Sequence, residues 1–279
     1  MNRSKRRLTG VETVEIVDRG WYEAADGSRV EIVQQVAACL NATRLYTPAQ
    51  LNDLLTSELG GTHNTVFDVE NETTLSAARR HVVENENAKT LCLNFASAKN
   101  PGGGFLGGSQ AQEESLARSS ALYASLQTQL QYYTENRSFG SSLYTDNMIY
   151  SPDVPVFRHD SGDLLTEPYL LSILTSPAVN AGAVKKNEPE KEPQIRPAMA
   201  ARIAMVLAVA AHRGYEHLVL GAWGCGVFRN DPSEIAELFA EALLEGGRFS
   251  QQFASVTFAV LDGTSDDRII GPFRQYFVR

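Results

Sequence analysis

The chain has 279 residues, 43% of them hydrophobic and 21% charged, which is enough apolar material for a buried core in one large domain or two small ones. A formal charge of −8 and a sequence pI of about 5.2 argue against broad electrostatic binding to nucleic acid, which relies on basic patches, so no direct nucleic-acid partner is expected. No apolar run approaches the roughly 18 residues of a membrane span, and no apolar signal core follows the basic start MNRSKRRLTG, so no membrane partner and a cytoplasmic location are expected.

In chain order, residues 4–18 read as a helix, with Arg3, Lys5, Arg6 and Arg7 as a solvated, mobile basic tail or, alternatively, a cluster that touches a polyanion. WYEAADGSRVEIV (21–33) reads as a hairpin around Asp26-Gly27. Helices are expected at 34–41 and 48–58, the second with Pro48 in its first turn. An αβ alternation then begins. NTVFDVE (64–70) reads as a strand, and TTLSAARRHVVEN (73–85) as an amphipathic helix with Leu75, Ala78 and Val82 at helical spacing. KTLCLNFA (89–96) is a buried-strand pattern, and a helix is expected over 112–131. NMIYSPDVPVFR (147–158) suggests two short strands split by Ser151-Pro152-Asp153, and YLLSILTS (169–176) a further one. Residues 178–197 read as a polar, Pro-rich loop. A helix at 197–213 leads to HLVLGAWGCG (217–226), a strand running into a second glycine loop, followed by a helix at 232–246 and the strand SVTFAVLD (255–262). The pattern predicts an α/β fold, a mixed sheet flanked by helices on both faces, with 132–175 as an antiparallel extension. Both glycine loops, 101–108 and 221–226, fall at the C-terminal strand edge where such sheets bind ligands.

The chemistry concentrates in NPGGGFLGGSQAQEES (100–115). Gly102, Gly104 and Gly107 satisfy G-x-G-x-x-G, but the helix begins too late, and Gln127 stands where an acidic ribose ligand belongs. Gly102, Gly107 and Ser109 fit a P-loop, except that Gly108 replaces the lysine that neutralises phosphate. Ser109 and Gln112 have capping-box spacing, which predicts a helix from residue 110 with Glu113 and Glu114 just past its first three residues. Alone, such a pair only compensates the helix dipole. Here it follows a loop with little but backbone, whose N–H groups are expected to take a diphosphate while the carboxylates face the attached sugar.

The triplet Gly102-Gly103-Gly104, seven residues, then Gln112-Glu113-Glu114 resembles the signature of poly(ADP-ribose) glycohydrolases. The flanking LNFASAKNPGGGFLGG, TSPAVNAG and GAWGCGVF are similar to the compact bacterial type, and the resemblance runs from about residue 10 to the end. It implies a macrodomain-like fold, a single catalytic domain over 1–279 with 1–60 as an extension packed on it, and no cofactor or metal. It also implies hydrolysis of ribose–ribose O-glycosidic bonds to release ADP-ribose, with poly(ADP-ribose) and ADP-ribosylated proteins as partners. Glu114 would be the acid/base and Glu113 the residue that orients the ribose. A raised pKa is expected at Glu114, from burial, the adjacent charge and bound diphosphate acting against the helix dipole. No second carboxylate opposed across the bond, as most glycosidases use, is evident.

The substrate-binding set implied is Asn100, Gly102, Gly103, Gly104 and Gln112, with Asn180, and Gly224, Gly226, Val227 and Phe228 from the second loop. Asn100 is alternatively a turn former, Asn180 a loop cap, Phe228 a core aromatic, and Trp223 either a shield for the site or simply buried. Adenine is placed near residues 68–71. The five histidines lack metal-ligand spacing, and the three cysteines fit neither a disulfide framework nor a zinc site, which leaves Cys225 a structural thiol. Two other readings stay open: a macrodomain that binds ADP-ribose without cutting it, and a hydrolase of single ADP-ribosyl groups.

Overall fold

The computed structural model describes residues 1–84 and 89–278. Residue 85, the last of the helix expected over 73–85, lies outside them. Helix α1 (Arg3–Arg19) is capped by the Asn2 side chain and ends at Gly20 in the left-handed region. The hairpin β1 (Trp21–Glu23) and β2 (Arg29–Glu31), α2 (Val33–Ala42), β3 (Arg44–Tyr46) and α3 (Pro48–Thr56) follow. Next come β4 (Val66–Glu70), α4 (Thr74–Glu84), β5 (Thr90–Phe95), α5 (Gln112–Ser119), α6 (Leu122–Gln127), α7 (Leu130–Ser138), β6 (Met148–Arg158) and β7 (Leu164–Ser176). The chain closes with α8 (Ala181–Asn187), α9 (Ile195–His212), β8 (His217–Leu220), α10 (Pro232–Leu243), β9 (Ser255–Ala259) and α11 (Gly271–Phe277).

Seven strands form one mixed sheet in the order β3-β6-β7-β5-β8-β9-β4. From β7 to β4 the neighbours are parallel, while β6 pairs antiparallel with β7 and β3. Alternate side chains of a strand face opposite ways, and the core divides accordingly. Leu91, Leu93, Leu174, Leu218, Val256 and Phe258 join one layer with α9, α10 and α11, while Cys92, Ile173, Val219 and Ala259 join a second with α1, α2, α4 and α5. Helices therefore cover both faces, and the parallel strands bring the ends of β4, β5, β8 and β9 to one edge.

Several sequence expectations need correction. The helix expected over 112–131 is three helices, because Ser120 turns extended (φ −150°, ψ 177°) to bridge Val156 and the chain re-starts at Gln129. The two short strands expected over 147–158 are one, Met148–Arg158, with a register shift between Ser151 and Val154, and the strand of 169–176 begins earlier, at Leu164. The 178–197 segment is structured, since Asn180 caps α8 and Pro189–Gln194 makes a 3-10 turn before α9. Strand β8 stops at Leu220, which frees 221–228 as a loop. Pro189–His212 is long and apolar enough to cross a membrane by length and composition, contrary to the sequence expectation. In this fold it is a core helix, burying Ile195, Met199, Ile203 and Met205 through Ala210.

Candidate active site

A cleft of about 570 Å³ lies across the C-terminal ends of β5, β8 and β9. One wall is the start of α5 with Gln110, Glu113 and Glu114, and the other is the loop from Ala222 to Phe228. Leu75, Phe95, Val260, Leu261 and Ile269 supply an apolar floor and end.

The glycine loop acts on the glutamates rather than on the cleft. Gly102, Gly103 and Gly104 do not line it; they stand behind α5. Gly102 (φ +66°) and Gly103 (φ +60°) hold left-handed conformations that favour glycine, and a Cβ at Gly103 would strike the Glu114 carboxylate and crowd that of Glu113. Gly104 N–H donates to Glu114 Oε1 (2.9 Å), and Gly103 N–H to Asn100 O (3.0 Å). The backbone of Gly102 also hydrogen-bonds Glu113. The N–H groups expected to hold a diphosphate are thus spent largely on the protein's own carboxylates and carbonyls.

Helix α5 begins two residues later than the Ser109 capping box predicts. Ala111 is its N-cap, and no side chain caps it. Gln112 instead reaches across to β5: its Oε1 accepts from Phe95 N (2.8 Å), while its Nε2 donates to Leu93 O (2.7 Å) and Thr74 Oγ1 (3.2 Å). Its amide fixes α5 to the strand end, and Gln112 also lines the cleft.

The two glutamates diverge. Glu113 is 3% exposed. Its Oε2 accepts from Ser97 N (2.7 Å) and its Oε1 from Asn94 Nδ2 (3.3 Å). Burial pushes its carboxyl up to about 8, against the pull of the Ser97 and Asn94 hydrogen bonds and with a smaller push from Glu114. Burial falls on Glu113, while Glu114 is only partly buried. Glu114 Oε2 takes no hydrogen bond among the described residues, which leaves one oxygen available at the cleft.

The second loop has the opposite character. The N–H groups of Gly224, Gly226, Val227 and Phe228 find no acceptor among the described residues, though those of Trp223, Cys225, Arg229 and Asn230 do. Gly224 is left-handed (φ +76°), and a Cβ there would meet Ala178 and Asn230 at 2.5 Å. Four unused donors on one cleft-lining loop make an anion nest. Phe228 is half-buried, lines the cleft and packs on Tyr144 at 5.9 Å, and Trp223 is fully buried. Cys225 lines the cleft, and burial raises its thiol pKa, which disfavours the thiolate.

Other candidates fall outside. Asn180 Oδ1 accepts from Ala183 N (3.0 Å) as the α8 cap and does not line the cleft, and Asn100 is exposed beyond it. Asp68 is paired with Arg80, and Asn71 exchanges hydrogen bonds with Asp262, so neither lines the cleft; its wall starts at Glu72. Sequence reasoning missed Asn94 and Ser97, which hold Glu113. An asparagine inside the apolar run TLCLNF was the available signal. It also missed Glu72 and Asp160, which line the cleft but are engaged by Arg80 and Thr73.

A mixed sheet with a buried and a cleft-facing carboxylate on one side of a crevice and an anion nest on the other defines a macrodomain-like hydrolase. The family model for the microbial-type PARG catalytic domain matches residues 10–159. Poly(ADP-ribose) glycohydrolase from Thermomonospora curvata is 47% identical over 98% of this chain and all of that one, with a TM-score of 0.94. Its complex with the inhibitor ADP-HPD is 48% identical over 98% and 99%, with a TM-score of 0.91. The Deinococcus radiodurans enzyme bound to ADP-ribose is 50% identical over 87% and 97%, with a TM-score of 0.82. No curated protein matches the chain. The chain belongs to the microbial-type poly(ADP-ribose) glycohydrolase family.

Proposed function

We propose that this protein hydrolyses the ribose–ribose bonds of poly(ADP-ribose) and releases ADP-ribose, with Glu114 as acid and then base. The carrying observation is Glu114 itself, held by the Gly104 N–H through one oxygen with the other available at the cleft. Relatives solved with ADP-ribose and with ADP-HPD support the ligand class. The diphosphate sits on the N–H groups of Gly224, Gly226, Val227 and Phe228, and the adenine against the apolar end at Phe95, Leu261 and Ile269. The scissile ribose then lies at the glutamates. Glu113, fixed by Ser97 and Asn94, orients its hydroxyls.

Protonated Glu114 gives its proton to the leaving ribose oxygen as the C–O bond breaks. Its carboxylate then takes a proton from water, whose oxygen bonds to the anomeric carbon, so Glu114 ends protonated and two hydroxyls replace one glycoside. The diphosphate charge on the second loop stabilises the developing ribosyl cation. Purified protein incubated with poly(ADP-ribose) should release free ADP-ribose. Intact polymer, with ADP-ribose still bound tightly, would make it a binding module instead.

A further inference from the structure

An acidic protein that acts on a polyanion needs local positive charge to hold it. Arg3, Lys5, Arg6 and Arg7 open α1, and among the described residues no carboxylate lies within ion-pair distance of any of them. The first turn of α1 has no acidic residue, and cations there oppose the helix macrodipole, so this placement does not serve the helix.

The turn does serve the catalytic loop. Arg3 Nε donates to Gly107 O (3.1 Å) and Arg6 Nε to Gly108 O (2.9 Å), which fastens α1 to the turn that follows the glycines. Buried Arg118 adds a cation on the same side, donating to Ser109 O (3.4 Å) and Gln110 Oε1 (2.5 Å), and Gln110 is part of the cleft rim beside Glu114. Lys5 and Arg7 are exposed, and their side chains make no hydrogen bond or ion pair among the described residues.

The cleft, at about 570 Å³, has the capacity of a single small-ligand site, so a polymer cut at Glu114 continues outside it. We propose that the first two turns of α1 form a phosphate-binding surface for the poly(ADP-ribose) units beyond the scissile bond. This rests on the glycohydrolase reading for its choice of polyanion.

The test uses full-length protein carrying Glu114→Gln, so that polymer stays intact, with and without Lys5→Glu and Arg7→Glu. These two changes touch neither cleft nor loop, and acidic residues near a helix start favour the helix. Anisotropy with labelled poly(ADP-ribose) should show affinity about tenfold weaker on charge reversal at low salt, with the difference vanishing at high salt. The Kd for ADP-ribose should not move. Unchanged polymer affinity at low salt would overturn the surface. So would single-stranded DNA binding as tightly as polymer and losing affinity equally, which would mark a nucleic-acid patch. Failure of ADP-ribose to bind would count against the glycohydrolase reading alone, because the polymer comparison is read separately.

Discussion

Gly103 carries two requirements at once, a left-handed φ and an empty position where a Cβ would strike the Glu114 carboxylate and crowd that of Glu113 at 3.2 Å. Gly103→Ala should lower kcat by about 100-fold or more, since small displacements of a reacting group cost that much, and should destabilise the fold by about 1 kcal/mol or more. Steady-state kinetics beside urea unfolding checks both. Glu113 gives a pH prediction. Its carboxyl stands at about 8 in the fold against 4.5 unperturbed, so the native state holds this proton more tightly than the unfolded chain does. That contribution to stability is complete below about 4.5 and is lost as pH rises through about 8. Glu113→Gln cannot ionise, so its stability relative to wild type should climb across that window, by up to about 1.4 kcal/mol per pH unit. Urea midpoints at several pH values read the difference, and parallel curves for the two proteins would contradict it. The pairing of glycines with glutamates was legible in the sequence through GGG-x7-QEE. Which partner the loop's N–H groups chose was not, because only the fold turns Gly104 toward Glu114 and away from the cleft.

Among elements, helix starts show where local patterns mislead. Ser109 and Gln112 have the spacing of a capping box, yet tertiary packing claims the Gln112 amide for β5. Removing it by Gln112→Ala leaves Phe95 N–H and Leu93 O without that partner. It should cost about 1–3 kcal/mol in urea unfolding, with activity falling further as α5 loses its anchor. Asn180 is the converse case, a local cap in a segment read as a polar loop. Asn180→Ala should cost about 1 kcal/mol of stability and leave the ADP-ribose Kd unchanged, since the side chain only caps α8. Calorimetric titration together with denaturation tests both halves, and weakened ADP-ribose binding would return Asn180 to the site.

At the scale of the molecule, the α/β alternation and both glycine loops could be read from periodicity, because long buried strands such as β5 and amphipathic helices such as α4 carry strong patterns. Short elements could not. β3 spans three residues, and only its pairing with β6 makes it a strand. The parallel sheet then delivers the two loops to one edge with divided duties: one holds carboxylates, and the other presents four N–H groups that find no acceptor among the described residues. That division predicts that binding and hydrolysis separate cleanly at Glu114. Glu114→Gln preserves the side chain's size and its contact with the Gly104 turn while removing the acid. Poly(ADP-ribose) hydrolysis and ADP-ribose affinity should be measured on the same preparation. ADP-ribose release should fall by about 1,000-fold or more, with the Kd for ADP-ribose within about threefold of wild type. Hydrolysis persisting near the wild-type rate would contradict the assignment of Glu114 as the acid/base.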